Sequence, residues 1–375
     1  MIATSIHSLL PPLKQIRRLD LKARSVLVTA GGFEDRAFAS AQVLRPKGSA
    51  RALVLAYKPY NPRNRLIEII SVLKRKRIEL DDSSIIEYDR FNPESFSQYL
   101  QKGLKNLDAQ SVIIDISAMS KLAGLLCLDV CREMNLEVTL FYAEAKTYAP
   151  SKTEYEEARR ERNLHQPSIQ VYTGVHGVIR VSRLSSVAMQ GQPTAAIAFM
   201  SFNEVLTQAL LNVVYPGRLF LINGRPPKLS WREEATAWIH EQLRQEWREE
   251  DNPLVTRSGR FKGLPKRVTS TLDYRETVKA LLKLYWQLAV DHRILLAPTG
   301  SKMQAVGCFF VKALHPDIHI EYPTPNGFLD LYSEGIGRKW RVDFGFLGDK
   351  VEELRRIERK QCLGIALDTH ILIND

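Results

Sequence analysis

Residues 111–121 read Ser-Val-Ile-Ile-Asp-Ile-Ser-Ala-Met-Ser-Lys (SVIIDISAMSK). The opening run, Ser111 to Ile114, is apolar and rich in β-branched residues, as a buried strand requires. An acid, two hydroxyls and a lysine follow at once: Asp115, Ser117, Ser120 and Lys121. A helical pattern then runs from Ser120 to Met134. A strand that passes through a polar loop into a helix is the repeating unit of a parallel sheet. In such sheets ligands sit outside the carboxyl ends of the strands. The loop also has a structural reading, in which Ser117 or Ser120 caps the helix and contributes about 1 kcal/mol.

The same alternation extends on both sides. Apolar strands are predicted at 25–30 (SVLVTA), 51–57 (RALVLAY), 85–88, 111–116 and 137–143 (EVTLFYA), with helices at 35–44, 64–77, 93–107 and 120–134 between them. With right-handed crossovers this is a Rossmann-like half. The order then recurs. Strands are predicted at 194–200 (TAAIAFM), 218–223 (RLFLIN), 293–297 (RILLA) and 319–322, with helices at 203–214, 230–250, 273–288 and 301–314.

Landmarks recur with the order. Phe33-Glu34-Asp35 answers to Phe202-Asn203-Glu204, and Ser120-Lys121 to Ser301-Lys302. Tyr142 and Tyr322 follow those lysines at similar distances, and Tyr172–Val181 resembles Tyr332–Val342. These last two stretches read as β-hairpins with glycine tips. The expected fold is therefore α/β: two tandem Rossmann-like domains with mainly parallel sheets, each followed by a β-hairpin, related by internal duplication. The domains are placed at 20–185 and 190–345, with a C-terminal helix and tail at 346–375. The linker 144–168 carries Pro150 and a charged helix at 153–163, and 251–270 reads as a mobile basic loop.

Two loops then stand as candidate ligand sites, the one at Asp115–Lys121 and Pro298-Thr299-Gly300-Ser301-Lys302. Helix N-termini offer backbone N–H groups and a positive dipole end to phosphate. Lys121 and Lys302 add cations, Ser117, Ser120, Thr299 and Ser301 add hydroxyls, and Gly300 admits close backbone approach. A lysine sits badly against a positive dipole end, and its appearance at both helix starts points to an anion between them. In Gly31-Gly32-Phe33-Glu34-Asp35-Arg36 the glycine pair admits a phosphate or ribose, and the acids could hold ribose hydroxyls or a metal. Equally, the acids only stabilise a helix start. Tyr60, Asn61, Arg63 and Arg65 suggest stacking and anion contacts, with Asn223-Gly224-Arg225 at the matching place.

Asp115-x-Ser117-x-x-x-Lys121 resembles the D/N-x-S/T-x-x-x-R/K signature of CARF domains, the CRISPR-associated Rossmann fold. Two such domains in one chain are similar to the SAVED arrangement of antiphage signalling proteins. The resemblance implies a cyclic or linear oligonucleotide held across the pair and an effector that responds, here a partner protein. Carried onto this sequence, it implies ligand contacts from Gly31, Gly32, Phe33, Glu34, Asp115, Ser117, Ser120 and Lys121, and from Ser201, Phe202, Asn203, Thr299, Gly300, Ser301 and Lys302. The second loop departs from the signature: Ala297 replaces the acid and Lys302 comes one residue early.

Composition fits this class. The 375 residues carry a net charge of +11, which favours an anionic partner, although runs such as Lys74–Arg77 and Arg159–Arg162 read as solvated helix faces. Beyond the nucleotide ligand, an effector protein and a nucleic acid bound by the 251–270 loop are the expected partners. No cofactor or metal is expected, because four scattered cysteines and eight histidines show no ligand spacing. No apolar run approaches the ~20 residues of a membrane span. The N-terminal charges follow the apolar stretch rather than precede it, so a cytoplasmic location is expected. Arg160 and His165 have the spacing of an R-x4-H ribonuclease motif, but one such match is expected by chance among so many arginines. An enzyme that cleaves a signalling nucleotide in the same place is the alternative to a sensor, and a non-catalytic subunit of a nucleic-acid-handling defence complex is a third.

Overall fold

Strands and helices alternate along most of the chain and assemble into two large sheets. The computed structural model describes residues 2–22, 24–162, 173–250, 267–328 and 332–371, and the side chains of those between 6 and 360. In the first sheet the order is Lys14–Gln15, Ser333–Phe346, Glu137–Tyr148, Ser111–Asp115, Ser25–Ala30, Ala50–Lys58 and Ile78–Glu79, with Ile85–Asp89 also on Ala50–Lys58. The second runs Val175–Arg180, His319–Pro325, Arg293–Ala297, Thr194–Phe199, Arg218–Arg225 and Val268–Ser270. All neighbours are parallel except at one side of each sheet. Strands so placed are buried on both faces, which is why they read as continuous apolar runs. This is the expected α/β class with Rossmann-like, mainly parallel sheets.

The antiparallel strands change sheets. Val175–Arg180 follows the last parallel strand of the first sheet in sequence but pairs with His319–Pro325 in the second. Ser333–Phe346 follows His319–Pro325 but pairs with Glu137–Tyr148 in the first, from Ser333↔Tyr148 to Phe346↔Glu137. The two expected hairpins are thus corrected: each described segment is a single exchanged strand. The glycines that read as turn tips mark irregularities instead. Gly335 has φ +67, a Cβ on Gly337 would stand 2.7 Å from the Ala145 carbonyl oxygen, and the register shifts between Ile336 and Lys339. That is the geometry of a β-bulge. Polar pairs select the partner sheet: Glu144 accepts from Arg338 and Trp340, Thr139 donates to Asp343, and Arg180 pairs with Glu321.

The crossing segments also meet. Thr173 N donates to the Gly327 carbonyl and Asn326 N to that of Gly174, both at 3.1 Å, and Ala149 N donates to Tyr332 O at 3.2 Å.

The largest apolar core runs through both halves. Helices Lys121–Glu133 and Lys302–Leu314 lie at its centre, apolar nearly all round, as buried helices are. Cys127, Cys131 and Cys308 are buried there as free thiols. Separate cores cover the other faces of the two sheets.

Several predicted elements differ in detail. The helix expected at 230–250 is two, Trp231–Ile239 and Glu241–Glu246. The one expected at 64–77 is a short turn, Pro62–Asn64, then Leu66–Arg75, because Arg65 adopts a left-handed backbone. The C-terminal helix, expected at 348–361, runs Leu347–Ile371, and Ile2–Leu9 forms a helix whose Ile6 joins the core. Among the described residues no helix is long and apolar enough to cross a membrane. Most of the 251–270 loop, part of the 144–168 linker, His165 and the side chain of Cys362 lie outside the described residues.

The loop around Val187 to Gln192 joins the two halves and is exposed. Cutting the backbone at Gly191 is expected to leave both fragments in one particle, because each completes the other's sheet. Native mass spectrometry after inserted-site proteolysis would detect it, with separation expected only in denaturant.

Candidate functional site

At the carboxyl ends of both sets of parallel strands the loops enclose a cavity of about 560 Å³. Its wall includes Gly31, Gly32, Phe33 and Glu34 from the loop after the first strand, and Ser120 and Lys121 from the loop after Ser111–Asp115. Ser201, Phe202, Thr299, Gly300, Ser301 and Lys302 line it from the second half. Twelve of the fifteen residues singled out in the sequence are thus brought together. Asp115, Ser117 and Asn203 are buried outside the wall.

The side chains of Asp115 and Ser117 build their loop. An Asp115 carboxylate oxygen accepts from Ser117 N at 2.9 Å, folding the chain back directly after the strand. Burial raises the pKa of this carboxyl, although hydrogen bonds from Ser117 and Ser40 oppose the shift. Ser117 Oγ accepts from Ala143 N at 2.9 Å. Across the cavity Thr299 Oγ1 accepts from Phe199 N and donates to Phe199 O, at 2.9 and 2.6 Å. Asn203 stands at the N-cap of Glu204–Val214. Ser120 and Ser301 cap their helices, accepting from Ala123 N and Gln304 N, both at 3.1 Å. Capping and a place on the cavity wall therefore coexist in both serines.

The lysines reach across. Lys121 Nζ donates to the Thr299 and Gly300 carbonyls at 2.8 and 2.7 Å, and Lys302 Nζ donates to the Ser117 carbonyl. Each cation leaves its own helix start and binds backbone oxygen of the opposite loop. Those oxygens supply the negative charge that the unfavourable dipole placement demands. Both side chains retain some exposure to the cavity although they lie deep in the molecule. Burial pushes each ammonium pKa down to about 7; for Lys302 the neighbouring Arg36 adds to the effect.

The acids of 31–36 anchor the exchanged strand. Glu34 accepts from Arg36 Nε and from Ser333 Oγ, both at 2.5 Å. Burial would raise the Glu34 carboxyl, but Arg36, Lys302 and the hydrogen bonds outweigh it and hold its pKa below the ordinary value. Asp35 accepts from Gly335 N at 2.9 Å and from Arg65 at 3.3 Å. Gly32 is needed because a Cβ there would stand 2.7 Å from the Ala118 Cβ. Among the described residues no three His, Cys, Asp or Glu side chains are grouped to hold a metal.

Further wall residues escaped the sequence reading. Tyr57, Tyr88 and Arg90 stand at one end, and Tyr57 OH accepts from Ser120 N at 2.7 Å. Burial raises the Tyr57 phenol to about 12. Arg232 grips the carbonyls of Tyr148, Ala149 and Pro150 while its guanidinium lies 4.1 Å from the Phe202 ring centre. Its pKa falls to about 10 by burial. Phe33, Phe328 and Tyr332 form an aromatic group, with ring centres 5.3 to 6.3 Å apart. Tyr57 could have been found from its place at the end of an apolar strand; nothing local in the sequence marks Arg232. Of the 60–65 stretch, Asn61 and Arg63 line the cavity, whereas Tyr60 is 69% exposed and Arg65 turns to Asp35 and the Phe33 carbonyl. Gly224 lines it too, while Asn223 is buried and Arg225 pairs with Glu276.

No family model matches the sequence, and no curated protein matches it. Among solved structures, the chain is similar to a type III CRISPR defence DNA nuclease activated by cyclic oligoadenylate, with 11% identity and a TM-score of 0.35. That match covers 76% of this chain and 63% of the nuclease, so the chain spans less than two thirds of it. A UDP-GlcNAc 2-epimerase from Neisseria meningitidis bound to UDP-GlcNAc matches at 9% identity and a TM-score of 0.18, covering 90% of this chain and all of the epimerase.

The lysine environment gives a pH prediction. The unfolded value is about 10.4, above the folded one, so the unfolded chain binds more protons between about 7 and that value. The contribution of these groups to stability therefore rises with pH across that window. Urea unfolding of the wild type and of Lys121→Met/Lys302→Met between pH 7 and 10 is expected to show the wild type gaining on the variant as pH rises.

Proposed function

We propose that this chain is a CARF/SAVED-like sensor that binds a nucleotide or short oligonucleotide, cyclic or linear, in the cavity between its two sheets. It then acts through a partner effector, in the antiviral setting that the family resemblance implies. The observation that carries this reading is the cavity wall itself. It joins lysines from two helix starts with arginines and aromatic rings contributed by both halves. Phosphate would sit at the helix starts, and bases against the rings. The shared strand order of the two sheets supports reading the chain as a duplication, with the ligand between the copies.

The lysine bonds suggest how binding is passed on. Lys121 and Lys302 tie each half to the loop of the other. A phosphate that takes these ammonium groups competes with the Thr299, Gly300 and Ser117 carbonyls. The ligand thereby changes what holds the halves in register, which is the differential interaction a switch requires.

Cleavage of the ligand is the second reading. Its best hydroxyls for aligning a 2′-oxygen, on Ser117 and Thr299, are spent on backbone partners. That favours binding over chemistry. A nucleic-acid-binding role through 251–270 would rest on residues mostly outside those described.

Thermal unfolding against cyclic di-, tri- and tetranucleotides, ATP and NAD tests the proposal. A selective rise in midpoint is expected, lost in Lys121→Ala and in Lys302→Ala. No shift with any member overturns the nucleotide reading. Affinity should also depend on pH. The free lysines lose their charge as pH rises through about 7, and a bound phosphate raises their pKa. Calorimetric affinity is therefore expected to fall steadily from pH 6.5 to 8.5, and a flat profile would separate the lysines from the ligand.

A further inference from the structure

The two ends of the cavity differ. Ala30 lies beside Leu55 in the first sheet, and Phe199 lies beside Ile222 in the second. Counting two residues on, the counterpart of Tyr57 is Gly224. Tyr57 is in register with Tyr88, and Gly224 with Thr269. At the first end, therefore, two tyrosines stand edge to face with ring centres 5.4 Å apart. Both project into the wall, and Tyr57 is fixed by Ser120 N. At the second end the same positions hold a glycine and a threonine that does not reach the cavity. Gly224, Thr236, Thr271, Leu272 and Gln304 line the wall there, and none of them is aromatic; Lys228 and Arg232 join them from the segment that follows Arg218–Arg225. A Cβ on Gly224 would stand 2.7 Å from the Thr271 methyl carbon, so the short Thr271 side chain stands where a residue larger than glycine would project.

Charge is uneven as well. The acids Glu34 and Glu144 line the side of the first sheet together with Arg36 and Arg90, whereas Lys228 and Arg232 line the other side. At the place answering to Glu34 the second half has Asn203, which is buried away from the wall. A volume of about 560 Å³ lies within the range of roughly 300–1,000 Å³ usual for one small ligand.

Building on the nucleotide reading, we propose that the cavity takes an unsymmetrical nucleotide in a single orientation. One base enters the recess beside Gly224 and Thr271, and the phosphates lie over Lys121 and Lys302. A two-fold symmetric ring needs equal pockets at both ends, and Tyr57 and Tyr88 occupy the place of the second.

Calorimetry with the full chain tests this. The probes are linear 5′-phosphorylated diribonucleotides of adenine and of guanine, and the two-fold cyclic dinucleotides of the same bases. One linear probe is expected to bind at 1:1 at least tenfold tighter than its cyclic counterpart. Thr271→Phe should weaken it at least tenfold, whereas Thr271→Val, which keeps the shape packed on Gly224, should not. A base-azido version of the linear probe needs no variant, and its photo-adducts are expected on the peptide carrying Thr271 and Leu272. Equal or tighter binding of the cyclic form, or equal labelling at Tyr57 and Thr271, overturns the orientation while leaving the nucleotide reading intact. Binding of no probe overturns the orientation, and the wider thermal-unfolding panel then decides the nucleotide reading.

Discussion

Two strands leave the sheets in which their predecessors lie and complete the opposite ones, and most of the architecture follows from that exchange. Once Ser333–Phe346 is paired along Glu137–Tyr148, and Val175–Arg180 along His319–Pro325, the halves cannot move apart without breaking main-chain ladders in both sheets. The crossing segments must pass each other near the carboxyl ends of the parallel strands, where they bond to one another and wall the cavity. The central helices Lys121–Glu133 and Lys302–Leu314 are then enclosed, so their sequences are apolar on nearly every side. Even the acids at 34 and 35 are explained by it, since they receive Ser333 and Gly335 as the exchanged strand arrives.

The same constraint concentrates charge in a poorly solvated place. Glu34 and Arg36 satisfy each other, whereas the described hydrogen bonds of the two lysine ammonium groups go to neutral carbonyl oxygens. Taking an ammonium group out of water is costly, and the depressed lysine pKa values express that cost, even though Glu34 and Asp115 partly offset it at Lys302. An anionic ligand would relieve it. Strain of this kind is tolerated where the surrounding fold over-determines the geometry, and here the exchanged strands do so.

Much of this was legible in the residues. Alternating apolar strands and amphipathic helices gave the parallel sheets, and the rule that loops at carboxyl ends form sites led to Lys121, Ser120, Gly300, Ser301 and Lys302. The exchange was not legible. A strand's pattern states that it is a strand and which face is apolar, not which sheet receives it, and Gly335 and Gly337 signal a bulge and a hairpin tip alike. Asp115 and Ser117 were placed with the ligand because a polar side chain after a strand has two uses, and only packing shows that the backbone of Ala143 and of Ser117 itself had taken them. Arg232 was invisible because its partners, the carbonyls of 148–150, lie more than eighty positions earlier in the chain.

The exchanged strand has one more consequence, in time rather than space. During synthesis the first sheet lacks its strand until residue 346 has left the ribosome, although all its parallel strands are made by residue 148. Until then Glu137–Tyr148 presents an open edge of unpaired main-chain groups, which invites pairing with other chains. The N-terminal half therefore has to persist unfinished through the making of nearly two hundred further residues. Its vulnerability to misassembly is set by translation speed as much as by its final stability.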